Sequence, residues 1–172
     1  MPVYTPIPHH DFVAAVKTLA AQLLADTSWQ PDFLIGIGRG GLVPAVFLSH
    51  ASGLPTLSVD YSSQVDDFAR APLSRLAERT RAGERLLLVD DINDTGGTIG
   101  RIKSILAEHG ADATNLRFAT LLDNIRSSER VDYRAQTIDR AVTKDWFIFP
   151  WEAVAPDTAI AADAAAVPER TA

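Results

Sequence analysis

One segment constrains the fold more than any other: residues 87–98, which read LLVDDINDTGGT. The uncharged apolar run that ends at Val89 is typical of a central strand in a parallel sheet, because both faces of such a strand are buried. Residues 97–109 then show a helical pattern, and Gly110 is placed to end that helix. The segment therefore predicts a strand, a short polar loop and a helix in direct succession.

The rest of the chain repeats this alternation of strands and helices. Apolar periodicity predicts helices at 10–26 and 42–51 and strands at 33–37, 56–61, 116–122, 131–138 and 146–149. The alternation predicts an α/β fold, a twisted, mainly parallel sheet flanked by helices. Residues 1–156 are expected to form a single domain, followed by an alanine-rich, poorly ordered tail at 157–172.

Composition excludes several classes of function. The 172 residues carry a net charge of −6 without a basic block, so nucleic acid is not an expected partner. The absence of cysteine excludes thiolate metal sites and cysteine nucleophiles. We find no signal-peptide pattern and no apolar run near the ~18 residues of a membrane span, and therefore expect a soluble, cytoplasmic protein without a membrane partner.

The second half of the loop is suited to a phosphate group. Thr95, Gly96, Gly97 and Thr98 supply backbone N–H groups and two hydroxyls at the start of a helix. The glycines permit close approach, and the helix dipole favours an anion at this end. These four residues are predicted to form an anion cradle.

The first half of the loop has the opposite charge. Asp90 and Asp91 would repel a bare phosphate, but they suit sugar hydroxyls or a Mg²⁺ ion held between hydroxyls and diphosphate oxygens. One loop therefore offers carboxylates to a diol and amides to a monophosphate, and a ribose 5-phosphate carries both groups.

This string resembles the signature of the type I phosphoribosyltransferases, most closely the purine (hypoxanthine and xanthine–guanine) enzymes. The resemblance implies 5-phosphoribosyl 1-diphosphate (PRPP) and a purine base as ligands, Mg²⁺ as cofactor, a small hood built from both chain ends, and a homodimer. Residues 37–44 resemble the segment of the bacterial xanthine–guanine enzymes that binds the diphosphate, which implies this role for Arg39 and Gly40. The implied reaction is purine salvage, the formation of a nucleoside 5′-monophosphate with release of diphosphate.

The resemblance also implies where the base lies. Residues 145–152 are rich in aromatics, and Trp146 matches the family residue that stacks on the purine, with Phe147 and Glu152 matching its base-binding neighbours. Asp94 matches the acid that approaches purine N7 and is the candidate general acid/base.

Two features depart from the family pattern. The lysine that reads the 6-oxo group is replaced by Asn124, with Lys144 or Arg126 as alternative cations. An amide both donates and accepts hydrogen bonds, so adenine stays open beside the favoured 6-oxopurines. The flexible lid is expected over residues 64–75, with Tyr61 before it and Arg70 or Arg75 available to the leaving group.

Two other functions remain open. A protein of the same fold can sense PRPP as a regulator without turnover. Gly36, Gly38 and Gly41 also fit the G-x-G-x-x-G spacing of an NAD-dependent enzyme, with Asp60 as the acid after the next strand. That interpretation leaves residues 90–98 unexplained.

Overall fold

The computed structural model describes residues 3–60 and 66–166. Its strands are β1 (Tyr4–Pro6), β2 (Phe33–Ile37), β3 (Thr56–Val59), β4 (Leu86–Asn93), β5 (Leu116–Asn124), β6 (Tyr133–Ile138) and β7 (Trp146–Ile148). Its α-helices are α1 (His9–Ala25), α2 (Gly38–Ser52), α3 (Asp66–Arg81), α4 (Gly97–Glu108) and α5 (Asp157–Ala165). Two short 3₁₀ turns cover Ala113–Asn115 and Pro150–Glu152.

The main sheet has five strands in the order β3-β2-β4-β5-β6, and every neighbouring pair is parallel. The predicted α/β fold with a mainly parallel sheet is therefore confirmed. A second, two-stranded sheet joins β1 to β7 and brings the two ends of the chain together. This small sheet is the predicted hood.

Strand β4 is the centre of both hydrophobic cores. Its first four residues are apolar and fully buried, and they alternate between the two faces of the sheet. Leu87 and Val89 belong to the core beneath α1 and α2, whereas Leu86 and Leu88 belong to the core beneath α3 and α4. Because helices cover both faces, the strand has no solvated side and reads as an uninterrupted apolar run.

Two elements extend further than the sequence pattern predicts. Helix α2 begins at Gly38 rather than at Leu42, and β4 continues to Asn93, so that Asp90 and Asp91 lie within the strand. The early start of α2 depends on its glycines. A Cβ on Gly41 would lie 2.0 Å from the carbonyl oxygen of Val89, so only glycine lets α2 approach β4 this closely.

The three glycines with dinucleotide-binding spacing have a packing explanation of their own. A Cβ on Gly36 would lie 2.8 Å from the Cα of Leu42, and Gly38 has a φ of 55° where β2 turns directly into α2. Together with Gly41 they permit the contact between a strand and the helix that follows it.

The segment predicted as a lid is only partly described. Tyr61 and residues 62–65 lie outside the described residues, and the chain from Asp66 onward is helix α3. Arg70 pairs with Glu108 at 3.4 Å, at the opposite end of α4 from its glycine-rich start. In this structure Arg70 therefore lies at the far end of α4 from the predicted phosphate site, and the role of Arg70 or Arg75 at the leaving group stays a prediction.

The alanine-rich tail begins with helix α5, in which Ala164 is buried. Residues 167–172 lie outside the described residues, and poor order of the tail stays a prediction. Among the described residues, no helix is both long and apolar enough to cross a lipid bilayer.

We predict that Gly41→Ala destabilises the protein by about 1–3 kcal/mol, the usual cost of overpacking, because neither backbone can yield locally. The matched control is Gly97→Ala, whose Cβ would meet nothing closer than Thr95 Oγ1 at 3.5 Å. Urea denaturation of the two variants measures the difference. Equal stability of both variants would contradict the close approach of α2 to β4.

Candidate active site

Two helix N-termini meet at the carboxyl edge of the main sheet. Strands β2 and β4 are parallel neighbours, so both end at this edge. Helix α2 begins at Gly38 directly after β2, and α4 begins at Gly97 a short loop after β4. The first turn of each helix has N–H groups without partners inside the helix, and its dipole favours an anion there. The fold therefore places two helix starts that are suited to anions side by side.

The loop before α4 is held in shape from one side. Gly96 caps the helix with a φ of 91°, and a Cβ there would lie 2.4 Å from Ser128 Oγ. The backbone N–H and the hydroxyl of Ser128 both donate to the carbonyl of Thr95, at 3.1 and 2.9 Å. The turn between β5 and β6 thus packs against one side of the predicted phosphate loop, while Thr95 and Gly97 remain exposed to solvent.

A buried amide ties the same turn to the end of β4. The Asn93 side chain donates to Asp123 Oδ1 at 2.8 Å and to the carbonyl of Glu129 at 2.9 Å, and it accepts from Ser127 Oγ at 2.9 Å. Lys103 on α4 pairs with the Glu129 carboxylate at 2.7 Å. These contacts fix the position of the glycine loop relative to the sheet.

The acidic pair lies beside the other helix start. A Cβ on Gly40 would lie 2.4 Å from Asp91 Oδ2, so the first turn of α2 lies directly against this carboxylate. Asp90 and Asp91 are partly exposed, and each accepts a backbone N–H from the next residue, at 3.0 and 2.7 Å.

The donor set here fits Mg²⁺ that arrives with its substrate. No group of three or more metal-ligating side chains is found among the described residues. Mg²⁺ usually keeps several waters and binds through one or two carboxylates together with substrate phosphates. Asp90 and Asp91 supply such carboxylates next to a predicted anion site, and they are the residues that would hold the ion.

Asp94 is paired with an arginine that the sequence analysis missed. Arg140 donates from Nη2 to Asp94 Oδ2 at 2.8 Å and from Nε to both carboxylate oxygens at 3.0 and 3.1 Å. The two side chains are only 9% and 2% exposed, so this is a buried, two-pronged ion pair. Asn124 completes the group, since its amide donates to the carbonyl of Asp94 at 2.8 Å and accepts the backbone N–H of Arg140 at 3.2 Å.

The same arginine reaches the hood. Its Nη1 donates to the carbonyls of Thr143 and Asp145, at 3.3 and 2.6 Å, and its guanidinium carbon lies 5.2 Å from the centre of the Phe147 ring. Phe147 and its neighbour Trp146 lie on β7 and are partly buried. Arg140 therefore joins the acid at the end of β4 to the strand that carries the predicted base-binding aromatics.

The end of the aromatic segment is packed against the first two helices. Trp151 stacks on Phe149 at 4.8 Å between ring centres and meets Phe12 of α1 edge-on at 5.4 Å. The Glu152 carboxylate accepts the N–H of Phe149 at 2.8 Å. Burial raises the pKa of Glu152, and the charge of Asp163 on α5 raises it further.

Arg39 lies exposed on the first turn of α2, near this acid, and its positive charge acts against the rise in the pKa of Glu152. The first turn of α2, the hood segment and the tail helix thus meet in one region of the structure.

The structure brings the predicted residues into two groups. Arg39, Gly40, Asp90 and Asp91 lie around the start of α2, and residues 95–98 form the start of α4 next to it. Asp94 and Asn124 contact each other directly, while Trp146, Phe147 and Glu152 lie in and beside the hood. Arg140, Ser127 and Ser128 were missed. Each follows the carboxyl end of a parallel strand, and that position is the signal that could have identified them.

Comparison with known proteins identifies the family. The family model described as the phosphoribosyl transferase domain matches residues 7–156, which is most of the chain. The chain belongs to the phosphoribosyltransferase family. The matched range includes both helix starts, the acidic pair, Arg140 and strand β7 of the hood, and it begins directly after β1.

Solved structures share the fold, and two of the three described next are phosphoribosyltransferases by name. A purine phosphoribosyltransferase from Pyrococcus horikoshii is 26% identical, with 86% of this chain and 93% of that chain covered and a TM-score of 0.59. The Helicobacter pylori xanthine-guanine-hypoxanthine phosphoribosyltransferase is 18% identical, and the alignment covers 87% of this chain and 94% of that chain with a TM-score of 0.64. A Neisseria gonorrhoeae protein solved with bound ppGpp is 22% identical, and the alignment covers 92% of this chain and 94% of that chain with a TM-score of 0.67. The latter two show the fold alone.

We predict that Arg140→Met destabilises this phosphoribosyltransferase by about 3–5 kcal/mol, because it leaves the buried carboxylate of Asp94 without its counter-charge. Thermal and urea denaturation measure the loss. Arg126→Met is the control, since Arg126 pairs with Asp139 at the surface and its removal should change stability little.

The double variant Asp94→Asn/Arg140→Met should recover part of the lost stability, because no unpaired buried charge then remains. A loss for Arg140→Met no larger than that for Arg126→Met would contradict the buried pair.

Proposed function

We propose that this phosphoribosyltransferase transfers the phosphoribosyl group of PRPP to a purine base, with 6-oxopurines favoured, and releases diphosphate. Purine salvage is the corresponding role. The observation that carries the proposal is the convergence of two helix N-termini and two carboxylates at one edge of the sheet, beneath a hood with aromatic side chains.

The two anion sites correspond to the two ends of PRPP. Residues 95–98 bind the 5-phosphate through the start of α4, and Arg39 and Gly40 bind the diphosphate at the start of α2. Asp90 and Asp91 take the ribose hydroxyls and Mg²⁺ between these ends. When bound, Mg²⁺ supplies positive charge that neutralises the departing diphosphate.

The reaction replaces one bond at the anomeric carbon by another. A ring nitrogen of the base forms the new bond to this carbon as the bond to the diphosphate oxygen breaks, with inversion. The transition state resembles an oxocarbenium ion, and the base must give up its ring proton. Asp94 accepts that proton or stabilises the developing charge at purine N7, with its carboxylate held in one orientation by Arg140.

The hood supplies the base site. Trp146 stacks on the purine, Phe147 lies beside it, and Glu152 lies at the end of the same segment. In this proposal Asn124 lies at the base edge, and its amide also holds the backbone of Asp94 and Arg140. A homodimer and a cytoplasmic location complete the proposal.

The experiment that tests the proposal is a PRPP- and Mg²⁺-dependent assay with adenine, hypoxanthine, guanine, xanthine and uracil. Turnover of a 6-oxopurine supports it. PRPP binding with no turnover of any base would favour a PRPP-sensing regulator of the same fold. Binding of NAD without binding of PRPP would favour the dinucleotide interpretation and contradict the proposal.

We predict that Asp94→Asn lowers kcat by about 10²–10⁴-fold, the usual contribution of a positioned acid or base. The dissociation constant for PRPP should change much less, because the phosphate and diphosphate sites stay in place. Steady-state kinetics and calorimetric PRPP titration separate the two effects. Asp139→Asn, which changes a partly buried acid paired with Arg126, is the control. Unchanged kcat in Asp94→Asn would remove Asp94 from the chemistry.

We predict that Trp146→Ala raises KM for the base by about 5- to 150-fold, through loss of a stacking contact of ~1–3 kcal/mol. The KM for PRPP should stay near the wild-type value. Trp151→Phe is the control, because Trp151 packs on Phe149 and Phe12 and should affect stability rather than base KM. An unchanged base KM in Trp146→Ala would overturn the stacking assignment.

A further inference from the structure

In the proposed function Arg140 only orients the carboxylate of Asp94, although its guanidinium carries a further donor. We propose that it determines base specificity, by donating a hydrogen bond to the 6-oxo group of the purine. This inference rests on the proposed function, since it assigns one edge of the base in that same site.

The position of Arg140 is fixed by contacts on three sides. Asp94 holds Nε and Nη2, the carbonyls of Thr143 and Asp145 hold Nη1, and the Phe147 ring lies against the guanidinium. A guanidinium is planar and presents its donors in a fixed fork, so these contacts also fix the direction of the remaining donor. Nη2 carries two hydrogens, and its bond to Asp94 takes one of them. The other is the donor that we assign to the purine.

The ion pair matches one edge of a 6-oxopurine. On that edge N7 and the 6-substituent are neighbours, just as Asp94 Oδ2 and Arg140 Nη2 are neighbours at 2.8 Å. A purine protonated at N7 presents a donor there, which meets the carboxylate of Asp94. The 6-oxo group presents an acceptor, which meets the guanidinium. Arginine lacks any acceptor, so the 6-amino group of adenine would place a donor against a donor.

Two of the other candidate groups, Arg126 and Asn124, have different partners. The guanidinium of Arg126 is paired with Asp139 at the surface, where its side chain is 59% exposed. The amide of Asn124 is engaged by backbone groups of Asp94, Arg126 and Arg140. Arg140 follows the end of β6 and reaches the acid that the resemblance places at N7, so it takes the place of the missing lysine from a different strand.

The test uses product nucleotides, so that it does not depend on turnover. Calorimetry compares binding of inosine 5′-monophosphate (IMP), adenosine 5′-monophosphate (AMP) and purine riboside 5′-monophosphate, which carries only hydrogen at position 6. All three share ribose and phosphate, so the ratios of their affinities measure how the protein contacts the edge of the base that carries position 6. We expect the wild-type protein to bind IMP about 5- to 150-fold more tightly than AMP, with purine riboside 5′-monophosphate between them.

Two variants of Arg140 distinguish recognition of the 6-oxo group from a purely structural role. Arg140→Gln should reduce the IMP/AMP ratio to near one, because an amide both donates and accepts. Arg140→Lys should retain a preference for IMP, because an ammonium group only donates. Arg126→Gln is the control and should keep the wild-type ratio. Partial unfolding of a variant lowers the apparent binding of all three nucleotides alike and leaves the ratio unchanged.

Each outcome is decisive. A wild-type protein that binds purine riboside 5′-monophosphate as tightly as IMP overturns the inference without any variant, and so does an unchanged ratio in Arg140→Gln. Turnover of adenine at the same efficiency as hypoxanthine also overturns it, while leaving phosphoribosyl transfer intact. Absence of PRPP-dependent turnover with every base instead contradicts the proposed function itself.

Discussion

The structure depends on the burial of β4 on both of its faces. Leu87 and Val89 anchor one helical layer, and Leu86 and Leu88 anchor the other. Such a strand must be central and parallel, and its carboxyl end must emerge between the two layers. The residues that follow Val89 are therefore the first on this strand that leave the two cores, and they are acidic and then glycine-rich.

The site is then assembled by packing around that strand end. Glycines at 40 and 41 let the first turn of α2 lie against Val89 and Asp91, so a second helix start joins the start of α4. The turn after β5 supports the glycine loop through a hydrogen bond from Ser128. Arg140, which follows β6, forms a buried ion pair with Asp94. Each strand of the sheet from β2 to β6, apart from the edge strand β3, thus supplies or supports one part of the site at its carboxyl end.

Local sequence patterns were sufficient for the strands of the main sheet, for α1 and for the helix after the glycine loop, but not for α3, which covers most of the segment predicted as a lid. Strand β2 was predicted at its observed bounds, and α4 within one residue of its observed end, because apolar periodicity and end-capping glycines act over a few neighbouring residues. The early start of α2 could not be predicted, since it depends on the fit of Gly41 against a strand some fifty residues away in the chain.

The contacts of Asp94 could not be predicted from the sequence either, because they also join residues far apart in the chain. Arg140 lies 46 positions from its partner, and only the parallel register of β4, β5 and β6 brings the two together. The resemblance to a known family indicated an acid at this position but not its counter-charge, because the family pattern places its cation on β5, where this chain has Asn124. A cation supplied from β6 is visible only in three dimensions.

The central claim is that two neighbouring helix starts bind the two ends of PRPP. Hydrogen–deuterium exchange of the intact protein, with and without PRPP and Mg²⁺, tests it most directly. Backbone amides at 38–41 and at 95–98 should both become protected, while ribose 5-phosphate alone should protect only the second group. Saturating PRPP that leaves both groups unprotected would contradict the claim.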